Sequence, residues 1–110
     1  MDEHRYYVYI VASRSHTLYI GFTSSLEARI QQHKEGTCDG FSTQYNCNRL
    51  VYYETHDDVY RAISREKQLK RWSRSKKLAL IERFNPAWAD LSEHWGKPIT
   101  PWRKSAATTE

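Results

Sequence analysis

Two charged side chains of the sequence occupy positions where helical spacing predicts apolar ones. Residues at the spacing of one helix face form two stripes, Leu26, Arg29, Ile30 and His33, and Val59, Ala62, Ile63, Glu66 and Leu69. We therefore expect Arg29 and Glu66 to be at least partly buried. An unpaired buried charge costs several kcal/mol, so each must find a partner, a metal ion or a ligand.

The two charges have a structural interpretation and a catalytic one. The structural interpretation is an ion pair between Arg29 and Glu66. The catalytic one starts from Tyr9 and Tyr19, which strand alternation places on one face of a predicted hairpin. His33 follows Arg29 by four residues and so shares its helix face. Together these side chains would line a polar cleft, and from the residues alone both interpretations stay open.

The elements that must position these side chains follow from the apolar pattern. Residues 6–12 and 17–22 are rich in aromatic and β-branched side chains and predict a β-hairpin. Ser24 and Glu27 have the spacing of a capping box and predict a helix over residues 26–33 that ends at Gly36. Residues 37–48 are a predicted loop, and residues 50–53 a predicted third strand.

Two more helices are predicted in the second half of the chain. Asp57 or Asp58 can cap one that runs to about residue 72, and Ser73 or Ser75 can cap one that ends before Asn85. The order β-β-α-β-α-α predicts an α+β fold, in which a small three-stranded sheet is flanked by helices. We expect one domain over residues 1–95 and a flexible tail over residues 96–110.

Charge and composition narrow the class of protein. The formal net charge is +4, but the stretch from Arg61 to Arg83 holds nine basic and two acidic residues. Such a local field favours nucleic acid, although a solvated helix face is the simpler alternative. No run approaches the roughly 20 apolar residues that span a bilayer. Cys38 and Cys47 have no zinc or disulfide spacing, so we expect reduced thiols and a cytoplasmic protein without a membrane partner.

The spacing of the tyrosines, the arginine and the glutamate resembles a known family. Tyr7-Val8-Tyr9, Tyr19-Ile20-Gly21, and then Arg29 and His33, resemble the signature of the GIY-YIG nuclease superfamily. Glu66, within Arg65-Glu66-Lys67-Gln68-Leu69-Lys70, looks like its metal-binding glutamate.

The small bacterial members of that superfamily are similar over about residues 6–92. The similar blocks are Leu18-Tyr19-Ile20-Gly21, Arg49-Leu50-Val51-Tyr52-Tyr53, the segment from Lys67 to Trp72, and Asn85-Pro86-x-Trp88-x-Asp90-Leu91. Two positions depart from the family pattern. Tyr7 replaces the first glycine of the name-giving triplet, and Phe22 stands where several members place a lysine.

The resemblance implies a three-stranded antiparallel sheet flanked by helices and a metal-dependent endonuclease. It implies catalytic roles for Tyr9, Tyr19, Arg29, His33 and Glu66, with Glu66 holding a single Mg²⁺ or Mn²⁺. The expected substrate is DNA, with RNA left open. The resemblance also extends to members that act in DNA repair and to members that select branched or damaged DNA. The residues expected to follow the phosphate backbone are Lys67, Lys70, Arg71, Arg74, Lys76 and Lys77.

Two alternatives remain at this point. The missing lysine at Phe22 favours a catalytically weak nucleic-acid-binding module of the same fold. An Arg29–Glu66 ion pair would instead favour an adaptor or scaffold. The oligomeric state does not follow from the sequence, and a monomer is taken as the default.

Overall fold

A computed structural model of the chain describes residues 5–37 and 40–95. Its elements in chain order are β1 Tyr6–Ala12, β2 Leu18–Thr23, α1 Leu26–Glu35, α2 Gly40–Gln44, β3 Arg49–His56, α3 Val59–Arg71 and α4 Arg74–Phe84. The predicted tail over residues 96–110 lies outside the described residues, as does Cys38. Cys47 is a buried free thiol, and burial raises its pKa. None of the helices in the described ranges is long and apolar enough to cross a bilayer.

The three strands form one antiparallel sheet in the order β2-β1-β3. This confirms the predicted α+β fold and its three-stranded sheet. In the hairpin register Tyr9 lies opposite Gly21, and Val11 lies opposite Tyr19. Because cross-strand partners share a face, Tyr9 and Tyr19 lie on the same side of the sheet, as predicted.

Strand alternation gives the sheet two apolar faces, each covered by a different layer of helices. Tyr9 and Val11 face α1, where they form a core with Leu26, Ile30, Cys47 and Leu50. Val8, Ile10 and Ala12 face α3 and α4, where they form a core with Ile20, Val51, Tyr52, Ala62, Leu69 and Ile81. The α1 face thus holds the tyrosines, and the other face holds the larger apolar core.

The predicted capping box at the start of α1 is wrong. The N-cap is Ser25 rather than Ser24, and its side chain makes no capping hydrogen bond. Instead the Ser25 N–H donates to the hydroxyl of Thr23 at 3.0 Å. Thr23 ends β2, so the short turn into α1 is held by a threonine side chain in place of the predicted serine–glutamate pair.

Two further boundaries differ from the prediction. The predicted loop over residues 37–48 contains the five-residue helix α2, which is too short to produce a periodic pattern. The third strand extends to His56 rather than residue 53. The added residues include Glu54, whose carboxylate accepts a hydrogen bond from Arg65 of α3.

The caps of the last two helices agree with the prediction. Asp58 accepts a hydrogen bond from the Arg61 N–H at 3.0 Å, and Ser73 accepts one from the Lys76 N–H at 3.2 Å. After α4, Asn85 donates to the Val51 carbonyl, and Asp90 accepts from the Leu50 N–H. These two side chains hold the segment that follows α4 against β3.

Candidate active site

Tyr9 and His33 form the buried centre of the α1 face. Tyr9 is fully buried, and its hydroxyl lies 2.9 Å from His33 Nε2. The backbone of Gly21 leaves the space for this ring, because a Cβ at that position would lie 2.3 Å from the Tyr9 hydroxyl oxygen. Glycine is therefore required by close approach, and the hairpin register brings the two residues together.

Ser42 holds the other side of the His33 ring. Its hydroxyl lies 2.5 Å from His33 Nδ1, and it also donates to the Cys47 carbonyl at 3.4 Å. Both His33 and Ser42 are buried. The imidazole is thus fixed between Tyr9 and Ser42, which joins β1, α1 and α2. Ser42 was not predicted as a site residue, because it lies in a helix that the sequence pattern did not reveal.

Tyr19 stands at the boundary between this buried centre and solvent. Its ring is half-buried, with its centre 5.3 Å from that of His33. On the outer side it stacks beside Phe41, with ring centres 6.3 Å apart. A phenol in this position can meet a ligand from solvent, whereas the Tyr9 ring is enclosed.

Arg29 lies one turn before His33 on α1 and is half-buried, as its apolar stripe predicted. It therefore lies on the same side of the sheet as Tyr9 and Tyr19. A guanidinium offers a planar fork of donors that matches two phosphate oxygens.

Glu66 lies on α3, in the layer on the opposite face of the sheet. Its side chain is 19% exposed, so the predicted partial burial is confirmed, and one carboxylate oxygen lies 3.2 Å from Lys70 Nζ. Helix α3 packs against β1 and against β2, the edge strand that carries Tyr19. Within residues 5–37 and 40–95, no ion pair joins Glu66 to Arg29. The scaffold hypothesis thus loses the ion pair on which it rested.

The structure therefore divides the predicted catalytic residues into two groups. His33 contacts both Tyr9 and Tyr19, and Arg29 lies on the same helix as His33. Glu66 pairs with Lys70 and, among the described residues, makes no hydrogen bond or ion pair to that cluster, although its helix α3 packs against the strands β1 and β2 that carry Tyr9 and Tyr19.

Comparisons with known proteins agree on one family. A model of the GIY-YIG catalytic domain matches residues 5–79. The UPF0213 protein SSP2268 of Staphylococcus saprophyticus is 38% identical over 81 residues, which cover 74% of this chain and 96% of that protein. The UPF0213 protein HQ_3675A of Haloquadratum walsbyi is 35% identical over 77 residues, covering 70% of this chain and 86% of its own.

The chain belongs to the GIY-YIG family. The fold agrees with that of a solved structure, the solution NMR structure of the UPF0213 protein BH0048 from Bacillus halodurans. That protein is 23% identical, the match has a TM-score of 0.53, and it covers 86% of this chain and 99% of the other. The GIY-YIG family is one of nucleases, which act on nucleic acid and generally use divalent metals.

The basic side chains predicted to follow a nucleic-acid backbone in this GIY-YIG protein differ in their surroundings. Lys67 and Arg71 are exposed on α3, and Lys77 is half-buried on α4. The other three have partners within the protein. Lys70 pairs with Glu66, Arg74 donates to the His16 carbonyl at 2.8 Å, and Lys76 lies over the Trp72 ring at 4.6 Å.

A second polar cluster lies on the opposite face of the sheet and was not predicted. Glu54 accepts hydrogen bonds from the Tyr52 hydroxyl at 2.5 Å and from Arg65 Nε at 2.9 Å, and it lies 2.8 Å from His56 Nε2. Burial and the adjacent carboxylate raise the pKa of Tyr52 to about 12. The sequence did carry a signal for this cluster. Residues 52, 54 and 56 are every second residue of β3, so their side chains lie on the same face of the strand.

Glu66 is the candidate ligand for a divalent cation. No group of three or more His, Cys, Asp or Glu side chains within the described ranges could enclose a metal ion. A cation there would thus take one carboxylate ligand and keep most of its water, which suits Mg²⁺. The Lys70 side chain is 52% exposed, so its pair with Glu66 is an exposed, weak one that a divalent cation can displace.

Proposed function

We propose that this protein is a divalent-metal-dependent endonuclease that hydrolyses phosphodiester bonds in DNA. The observation that carries the proposal is the half-buried phenol of Tyr19 beside the enclosed Tyr9–His33–Ser42 chain, with Arg29 on the same helix as His33. A rigid set of buried hydrogen bonds behind one reachable phenol is the arrangement expected of a preorganised reaction centre.

In this proposal Tyr19 is the general base. Water attacks the phosphorus atom and its proton passes to the Tyr19 phenolate oxygen. The bond from phosphorus to the leaving oxygen breaks, and that oxygen keeps the electron pair and takes a proton from solvent water. A free phenol has a pKa of about 10 and is mostly protonated at neutral pH. Positive charge from Arg29 and from a bound cation favours the phenolate, so both are required for this role.

The other residues of the cluster position the reacting groups. Arg29 binds the non-bridging oxygens of the scissile phosphate. Tyr9 is enclosed and bonded to His33, so it fixes the imidazole rather than removing a proton itself. His33 in turn packs beside the Tyr19 ring and is a positioning residue. Glu66 would hold one Mg²⁺ or Mn²⁺, which when bound offsets charge that develops on the phosphate.

Exposed basic residues of α3 and α4 would hold the substrate on either side of the cut. Lys67 and Arg71 are the strongest candidates, because both are exposed and neither has an ion-pair partner among the described residues. Contacts of this kind bind the phosphate backbone and carry no base information, so we expect little sequence specificity from them. Action on DNA repair intermediates is one setting for such an activity.

A catalytically weak nucleic-acid-binding protein is the second candidate, and Phe22 favours it. Its ring stacks on Tyr6 with centres 6.2 Å apart and packs against the core of the α3 face. An apolar, half-buried side chain in that position supplies no charge to the substrate. The remaining basic surface would still bind nucleic acid.

A nicking assay on supercoiled and branched DNA tests the proposal. We expect the wild-type protein to cut DNA in the presence of Mg²⁺ or Mn²⁺. The Glu66→Gln variant should cut at least about a hundredfold more slowly, while both proteins bind DNA in EDTA with similar affinity. Salt-dependent binding without cutting by wild type would establish the binding-module candidate instead. Cutting that survives Glu66→Gln would overturn the assignment of Glu66.

A further inference from the structure

An exposed aromatic surface adjoins Tyr19 on the side that faces solvent. Phe41 lies on α2, and Tyr45 directly follows the last residue of that helix. The centres of their rings are 4.8 Å apart. They are 47% and 45% exposed, although both are large and largely apolar. Phe41 continues the stack of Tyr19. We call the pair Phe41 and Tyr45 the aromatic platform.

The platform leads into a polar hollow that carries positive charge. An open hollow of about 880 Å³ is lined by Tyr45, Arg14, Arg49, Ser13 and Asn48, among others. Arg14 is exposed in the turn between β1 and β2, and Arg49 begins β3. From the Tyr19 phenol outward, the surface therefore presents first the two rings of the aromatic platform and then the guanidinium groups of Arg14 and Arg49.

We propose that the aromatic platform is a binding subsite for unpaired nucleotides next to the scissile phosphate. Bases stack on exposed aromatic rings whatever their sequence, provided that the base faces are not already covered by pairing. Cations beyond the rings bind the phosphates of the same strand. A base within a duplex keeps both faces stacked on its neighbours, so the platform selects single-stranded, flapped or extruded nucleotides.

The position of the platform relative to the reaction centre supports this assignment. The ring centre of Phe41 lies 6.3 Å from that of Tyr19 and 4.8 Å from that of Tyr45, so the platform begins one side chain away from the proposed general base. A phosphate at Tyr19 and Arg29 would thus be followed by a base on Phe41 and a phosphate near Arg14 or Arg49. The statement that the cut phosphate lies next to this subsite rests on the proposed function. The binding of a single strand by the platform does not depend on it.

Strand binding without cleavage tests the platform. Anisotropy of a labelled single strand and of a matched duplex is measured in EDTA for wild type, Phe41→Leu and Tyr45→Leu. Each replacement keeps an apolar side chain and removes a stacking ring. We expect single-strand affinity to fall about tenfold and duplex affinity to change less than about twofold. Thermal unfolding should remain near that of wild type, because both rings are half exposed.

Matched controls use aromatic side chains of the same type that lie elsewhere. Tyr60 on α3 is 76% exposed and Phe84 on α4 is 64% exposed. Tyr60→Leu and Phe84→Leu are expected to leave single-strand affinity within about twofold of wild type. Equal losses in the controls, or equal losses for single strand and duplex, would overturn the platform.

Cleavage measured on the same variants distinguishes the platform from the nuclease proposal. Glu66-dependent cutting of flapped DNA that weakens in Phe41→Leu supports both. Glu66-dependent cutting with no change of strand preference in Phe41→Leu or Tyr45→Leu overturns the platform and leaves the nuclease standing. Single-strand binding that requires Phe41 and Tyr45, without any Glu66-dependent cutting, supports the platform and overturns the nuclease.

Discussion

The two faces of the sheet each hold a tyrosine hydrogen-bonded to a polar partner, and the partners differ. On the α1 face Tyr9 bonds to the imidazole of His33, beside the half-exposed Tyr19. On the α3 face Tyr52 donates to the carboxylate of Glu54, which also binds Arg65. Burial and the carboxylate acceptor together raise the pKa of Tyr52 to about 12 and keep its phenol protonated. In the proposed mechanism the α1 face supplies the reacting phenol, that of Tyr19, whereas the phenol of Tyr52 on the α3 face serves stability.

The largest expected difference between the faces concerns removal of one hydroxyl. Tyr19→Phe is expected to lower cleavage by a factor of about 10²–10⁴, the usual contribution of a general base, with a smaller loss of stability than Tyr52→Phe. Tyr52→Phe is expected to cost about 1.5–3 kcal/mol of unfolding free energy, because it removes one of the three hydrogen-bond partners of the partly buried Glu54 carboxylate, and to keep cleavage. Single-turnover rates and urea unfolding measure both. If Tyr19→Phe and Tyr52→Phe lowered the cleavage rate by similar factors, the two faces would not differ in their role in cleavage.

Close packing of Gly21 on Tyr9 gives the next largest effect. Gly21→Ala would place a Cβ 2.3 Å from the Tyr9 hydroxyl oxygen, so the ring must move away from His33. We expect a loss of about 1–3 kcal/mol of stability together with reduced cleavage. Gly40→Ala is the matched control, since a Cβ there meets nothing within 4 Å. Equal behaviour of the two variants in urea unfolding would contradict the packing argument.

The charged cluster on the α3 face predicts a specific dependence of stability on pH. Burial alone would raise the pKa of Glu54, but hydrogen bonds from Tyr52, His56 and Arg65 outweigh burial and lower the pKa from the ordinary value of a glutamate. A carboxyl with a lowered folded-state pKa stabilises the protein above its ordinary pKa and loses that contribution as pH falls through the folded value. The stability gap between wild type and Glu54→Gln should therefore be full at pH 6 and shrink below about pH 4.5. A gap that does not change with pH would contradict this.

The smallest effect is expected at the exposed pair of Glu66 and Lys70. Lys70→Met removes a cation that competes with a metal for the carboxylate. We expect the half-saturating Mg²⁺ concentration to fall by at most about fivefold, with stability nearly unchanged, since exposed ion pairs contribute 1 kcal/mol or less. Cleavage is titrated with Mg²⁺ at saturating DNA. A rise in the concentration required would place Lys70 in metal binding rather than in competition with it.

Much of the fold could be predicted because the apolar pattern is strong where the elements are long. The hairpin, the helix α3 and the caps Asp58 and Ser73 follow from alternation, periodicity and capping chemistry. The helix α2 could not be predicted, because its five residues are too few for a periodic pattern. The start of α1 was misassigned, because adjacent serines compete for one cap and a threonine side chain decides between them.

The candidate site was predictable in its residues and not in its arrangement. Arg29, His33 and Glu66 stand out in the sequence as polar side chains in apolar stripes. All three are partly or fully buried in the structure, as those stripes predict. Ser42 and the separation of Glu66 from the tyrosine cluster depend on contacts between distant segments, which no local pattern encodes. The catalytic roles of these residues stay predictions until activity is measured.

The most direct measurement is cleavage and unfolding of one double variant, Arg29→Met with Glu66→Leu. If the two charges serve catalysis, the variant should unfold at the same or higher urea concentration than wild type, because apolar side chains suit both stripes, and should cut no DNA. A stable variant that still cuts at the wild-type rate would contradict the assignment of Arg29 and Glu66 to the reaction.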